Sequence, residues 1–271
     1  MIAQKSNFNV FYVSSHGLAG DHWFDWFAKA LNAHPEIMIY IGETVRSKYL
    51  KERSRKDRPN LLDFTKFLID FGAAYEAVGE CYAYRSYQLE ALWKVYGDEI
   101  RFINLARHPY CWLEFYTTWR CSNMNMPPDD VSGVDHEWNI TCHDEIKRYN
   151  LRPYKREDVK IWSFYQGLII LNRMISDLRP GVKNVRIEQV VSEREKFAEV
   201  VDYLTHGRIV YERPLMDLIY SWVNTPFRKT GIVRNNPEKE YAAWPDWKRE
   251  AFLKIVREET IAMFEIHGYT L

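Results

Sequence analysis

The stretch FYVSSHGLAGDHWFDWFAKALNAHPEI, Phe11 to Ile37, decides how this chain folds. Residues 9–14 (NVFYVS) form an apolar run that reads as a buried strand. Residues 21–33 (DHWFDWFAKALNA) place Trp23, Phe24, Phe27 and Leu31 along one helical stripe. His34-Pro35 stops that helix, because the residue before a proline is driven out of helical geometry. A strand handing over to a helix through Gly17 and Gly20 aims free backbone N–H groups and the positive end of a helix dipole at one spot. The turn is therefore an anion site in its backbone. Its side chains depart from the usual phosphate-gripping pattern, since Leu18, Asp21 and His22 stand where such a loop carries Lys with Ser or Thr.

Working outward, IMIYI at 37–41 reads as a second strand, and the charged segment 47–60 as a solvated excursion before a helix over 61–76. ECYAY after Gly79, the amphipathic SYQLEALWKVYG and the apolar RFINLA at 101–106 give a β-α-β rhythm of parallel-sheet type. Arg107-His108-Pro109 follows that strand, with Pro109 suited to the first turn of a further helix. Residues 120–155 lack periodicity and are rich in Pro, Asp and Asn, which predicts a lid or substrate-facing loop. A helix is expected over 157–178, a strand at 184–188, a helix at 194–207, an irregular basic stretch at 208–240, and one long closing helix from Pro245 to Ile266. The fold class is α/β, a parallel central sheet flanked by helices, with 1–271 as a single domain.

Composition narrows the function. Thirty-seven basic residues balance 37 acidic ones, so nothing overall points to nucleic acid or a membrane surface, and any anion site must be local. The N-terminus has no long apolar segment and no later run approaches a bilayer span, so the expectation is a soluble, cytoplasmic protein. Cys81, Cys111, Cys121 and Cys142 show no CxxC spacing and read as reduced thiols. His136, Cys142 and His143 have no second pair at ligand spacing, so no metal is expected. Asn139-Ile140-Thr141 is a formal glycosylation sequon without a secretory route.

Five pieces, in this order, resemble the sulfotransferase family. They are the strand, loop, helix and HPEI phrase of the opening; Val78-Gly79-Glu80-Cys81-Tyr82-Ala83-Tyr84, similar to a GEKSPxY phrase; INLARHPYCWLEFYTTW, similar to a strand with an RxP element; Arg186-Ile187-Glu188-Gln189-Val190, similar to a YEDL strand end; and the tail WPDWKREAFLKIVREETIAMFEIHGY with its terminal GY. The resemblance implies a P-loop-NTPase-like sulfotransferase fold with helical and loop insertions. It implies transfer of a sulfuryl group from 3′-phosphoadenosine 5′-phosphosulfate (PAPS), as co-substrate and with no metal, to a hydroxyl or amine of a small-molecule acceptor. No nucleic acid or membrane partner is implied, and a homodimer is possible.

Residue by residue, the resemblance places the 5′-phosphosulfate against Gly17, Leu18, Ala19, Gly20, Asp21, His22 and Trp23, and the 3′-phosphate against Arg107. The family's loop Lys falls on Leu18, its two threonines on Asp21 and His22, and the GEK lysine on Cys81. The serine eight positions after the RxP arginine becomes Phe115, for which Thr117 or Thr118 could stand in. FRKTG, Phe227 to Gly231, resembles the family's RKG phrase and offers Arg228 and Lys229. Glu43, after the second strand, is the candidate base, and His16 could supply charge beside the loop, as could His22 unless it is only a partly exposed first-turn residue. The departures raise an alternative, a catalytically impaired protein of this fold that binds a nucleotide or partner. A kinase-type NTPase is disfavoured because no GxxxxGK[ST] occurs.

Overall fold

The computed structural model describes residues 10–14, 22–41, 61–82, 92–123, 159–174, 183–223 and 236–271. In chain order these give β1 (Val10–Ser14), α1 (His22–Asn32), β2 (Ile37–Ile41), α2 (Leu61–Phe71), β3 (Ala77–Tyr82), β4 (Arg101–Ala106), α3 (Pro109–Asn123), α4 (Val159–Met174), β5 (Lys183–Arg186), α5 (Ile187–Ser192), α6 (Arg194–Thr205), α7 (Arg213–Ser221), α8 (Pro237–Ala242), α9 (Asp246–Ile255) and α10 (Glu258–Ile266). Two compact units emerge: residues 1–106 with 180–231, and residues 107–179 with 232–271.

The first unit is built on a sheet with strand order β2-β3-β1-β4-β5. All four pairings are parallel, as the sequence rhythm predicts. Side chains alternate across it. One face carries Phe11 and Val13 of β1, Ile37 and Ile39 of β2, Ala77, Gly79 and Cys81 of β3, and Ile103 and Leu105 of β4. Gly79 is required here, because a Cβ at that position would sit 2.2 Å from the Phe11 ring. The helices α1 and α6 lie on this side: Trp26 and Phe27 meet Phe197 of α6, and Tyr203 of α6 lies under Lys183 and Arg101. The other face packs Val10, Tyr12, Val78 and Phe102 against Phe64 and Leu68 of α2, and the Tyr12 hydroxyl shares a 2.7 Å hydrogen bond with Thr65.

Helix α1 corrects the expected single stripe: from His22 to Leu31 every residue except Lys29 is buried. Its last-turn carbonyls, which no intrahelical donor can reach, accept from the Tyr211 hydroxyl, at 2.9 Å from Ala30 and 2.8 Å from Leu31. The Trp26 indole donates to the Ile219 carbonyl at 2.7 Å. That contact comes from α7, in the region expected to be irregular. Pro214 in its first turn and the spacing of buried Met216 and Ile219 are the helix signals there. The expected strand at 184–188 is also shorter, since Ile187 and Glu188 already belong to α5. Helix α2 ends at Phe71, where a 3₁₀ turn over Gly72–Ala74 takes over.

In the second unit, α3 packs along α4 with Gly167 at the close approach, where a Cβ would lie 3.0 Å from Leu113 and 3.2 Å from Tyr116. The Tyr116 hydroxyl donates to Gln166 at 2.9 Å, and Lys248 of α9 pairs with Glu114 in the interior. The long closing helix expected from Pro245 to Ile266 is two helices, broken at Val256-Arg257 in extended geometry. Asn172 of α4 holds the break open. Its amide donates to the Ile255 carbonyl at 2.7 Å, while its carbonyl accepts from the Arg257 N–H at 3.0 Å and the Thr260 hydroxyl at 2.8 Å.

Candidate functional site

Strand alternation also puts polar residues together. On the α2 face, β1 carries Tyr12 and Ser14, β2 Tyr40, β3 Glu80 and β4 Asn104, from the middle of each strand toward its carboxyl end, and β5 adds Asn184 beside Asn104. Glu80 pairs in register with Tyr40 on one side and Tyr12 on the other, and Asn104 with Ser14 and Asn184. Ser14 and Glu80 are fully buried, and Asn104 is 3% exposed. The Asn104 amide donates to Asn184 Oδ1 at 3.0 Å, and its own Oδ1 has no hydrogen-bond partner. Burial, helped by the nearby Tyr75 hydroxyl, raises the Tyr40 hydroxyl pKa. Buried polar groups in a sheet interior are costly unless paired, so their gathering at one end marks that end off.

None of these residues was assigned a role from sequence. The signal was there, Tyr12 and Ser14 in VFYVS, Glu80 in AVGECY and Asn104 in RFINLA, but which face each occupies follows only from the register. Cys81, adjacent to Glu80, points the opposite way. It is 1% exposed on the apolar face, and burial, then the Glu80 charge, push its thiol pKa upward. The position where the resemblance expects a lysine is thus part of the core packing.

Of the residues singled out in the sequence, His16, Gly17, Leu18, Ala19, Gly20, Asp21, Glu43, Arg228 and Lys229 lie outside the described residues. His22 is 5% exposed, unlike the partly exposed first-turn residue that was one reading of it, and its Nε2 meets the Val223 carbonyl at 2.6 Å, so that nitrogen carries the proton. Trp23 is buried beside it in α1. Arg107 follows β4 directly and is 4% exposed. The next residue, His108, turns back on α3: its Nδ1 accepts from the Tyr110 N–H at 3.3 Å, and its Nε2 donates to the Thr270 carbonyl at 3.0 Å. Tyr269 of the terminal GY packs edge-on against that imidazole, at 5.5 Å. Thr117 is buried and gives its one hydroxyl proton to the Leu113 carbonyl at 2.7 Å, whereas Thr118 is exposed. Among the described residues no cluster of His, Cys, Asp and Glu could hold a metal ion, and no helix is long and apolar enough to cross a membrane.

No family model, curated protein or solved structure matches this chain. Sulfotransferase and PAPS are thereby corrected as descriptive terms for it: the five short phrases do not amount to membership of that family. The description that holds is an α/β protein with a parallel central sheet and helices on its faces.

Proposed function

We propose that this protein binds a phosphorylated nucleotide at the carboxyl end of its sheet and transfers a group from it to a small acceptor. The observation that carries this reading is the place of β1. It lies between β3 and β4, and the chain leaves it toward β2 on one side, then returns through β3 and crosses to β4 on the other. Open parallel sheets take ligands beyond the carboxyl ends of strands at such a reversal. The glycine-bearing stretch of sequence between Ser14 and His22 links β1 to α1. Because β3 separates β1 from β2, the order is not that of the dinucleotide-binding sheets, in which β2 borders β1, and a nicotinamide or flavin dinucleotide is disfavoured.

Within this reading the P-loop-like fold and sulfuryl transfer are the specific forms that the order of the five phrases supports, with backbone amides near Gly17–Asp21 and the Arg107 guanidinium as phosphate partners. A second reading, nucleotide binding without transfer, is favoured by the core placement of Cys81 and by the Thr117 hydroxyl's commitment to Leu113. Mass spectrometry of an acceptor panel incubated with PAPS separates the two. A product about 80 Da heavier, the mass of one SO₃ added by sulfuryl transfer, supports transfer, and nucleotide binding with no such product supports the second. Arg107→Ala is expected to weaken adenosine 3′,5′-bisphosphate at least about tenfold, the loss of one charge-assisted contact. Unchanged affinity in a folded variant removes Arg107 from the site. Equal turnover in Glu43→Gln removes Glu43 as the base.

A further inference from the structure

The phrase His267-Gly268-Tyr269 carries a helix stop at the end of α10, and the fold uses it to send the chain back toward α3. Gly268 takes a φ of 80°, a left-handed conformation that a side chain would strain. Its N–H donates to the Glu265 carbonyl at 2.8 Å and the Tyr269 N–H to the Phe264 carbonyl at 3.0 Å, which closes the last turn and reverses the chain. The reversal buries Tyr269, with its ring against Phe264 and edge-on to His108. Thr270 then offers its carbonyl to His108 Nε2. His108 is at the same time the N-cap of α3. Its carbonyl accepts from the Trp112 N–H at 2.9 Å, and its Nδ1 accepts from the Tyr110 N–H. One ring nitrogen therefore serves its own helix and the other holds segment 268–270. Capping needs only the first. The second fixes the residue that joins Arg107 to α3, and Arg107 is a phosphate partner in the proposed function, on which this inference rests.

We propose that segment 268–270 is a strap that positions Arg107 through His108, and so governs the contact to a 3′-phosphate and not to a 5′-phosphate. Such coupling is reciprocal: a strap that favours the 3′-phosphate is itself held closed by that phosphate, to the same degree. Hydrogen exchange at the Gly268 and Tyr269 amides, read by NMR on the intact protein, tests this. Saturating adenosine 3′,5′-bisphosphate is expected to slow it roughly tenfold and adenosine 5′-monophosphate to leave it unchanged. Equal slowing by both nucleotides, or slowing by neither, overturns the inference. His108→Asn keeps a capping oxygen for α3 and is too short to reach Thr270. That variant and Tyr269→Ala are expected to bind the bisphosphate roughly tenfold more weakly, with 5′-monophosphate affinity unchanged. A residue that only capped α3 would be replaced by Asn without loss. Unchanged bisphosphate affinity in both folded variants overturns the inference, and so does an equal loss for both nucleotides, the mark of a general loosening. Where a variant does not fold, the exchange measurement on the unmodified protein decides alone. An unmodified protein that binds neither nucleotide removes the proposed function and this inference with it, whereas binding that is indifferent to the strap removes this inference only.

Discussion

The two faces of the sheet are made of alternate residues of the same strands, yet they differ in kind. The face under α1 and α6 is apolar over β1, β2 and β3, carries Arg101 and Lys183 at the amino ends of β4 and β5, and packs so closely that Gly79 has no room for a Cβ beside Phe11. The face under α2 begins the same way, with Val10, Val78 and Phe102, then turns polar at Tyr12, Glu80, Ser14 and Asn104. Hydrophobic burial explains the first face and half of the second. It does not explain the rest, since apolar residues at those positions would stabilise the fold at least as well. One face is therefore explained by packing, and the polar end of the other is not.

The largest effect that separates the faces is expected on the apolar side. Phe11→Ala removes a fully buried ring and should cost about 3–5 kcal/mol in chemical denaturation, while leaving nucleotide affinity unchanged if the protein stays folded. Gly79→Ala pushes a methyl into the same ring and should cost about 1–3 kcal/mol. A neutral Gly79→Ala would break the claim that this face is tightly packed. On the α2 face, Tyr12→Phe removes only the hydroxyl bonded to Thr65 and should cost about 1 kcal/mol. A thiol reagent at mildly alkaline pH should leave Cys81 unmodified in the native protein and label it after denaturation, because burial and the Glu80 charge disfavour the thiolate.

How far the sequence showed this division can be judged residue by residue. The apolar runs gave the strands, and the β-α-β rhythm from ECYAY to RFINLA gave the parallel α/β class, because both are local signals. The polar row was hidden because Asn104 in RFINLA and Glu80 in AVGECY are isolated residues until the register sets them on one face. The break between α9 and α10 was equally hidden. Its cause is Asn172, 83 residues from the Ile255 carbonyl it caps, and no local pattern reports so distant a partner. Helix α7 was legible, with Pro214 in its first turn, and was obscured by the basic stretch that follows it.

The smallest effect sharpens the comparison at the other end of the sheet. Near the amino ends of β4 and β5, His206 bonds the Glu99 carbonyl at 3.1 Å and Arg101 at 3.3 Å, so polar groups there are structural. Its pKa is lowered from 6.5, chiefly by burial, with Arg101 and Arg208 adding to the effect against the Glu99 carbonyl and carboxylate. The folded state thus prefers neutral imidazole. Its contribution is full above pH 6.5 and is lost as pH falls through the lowered folded value. Melting temperature against pH should fall less steeply below that point in His206→Asn than in the unmodified protein. Identical curves would remove His206 as a source of acid sensitivity.

The most direct measurement is calorimetric titration of the intact protein with adenosine 3′,5′-bisphosphate. Saturable heat with one site per chain is the predicted result. A folded protein that gives no heat at millimolar nucleotide would contradict the claim that the carboxyl end of this sheet seats a phosphorylated ligand.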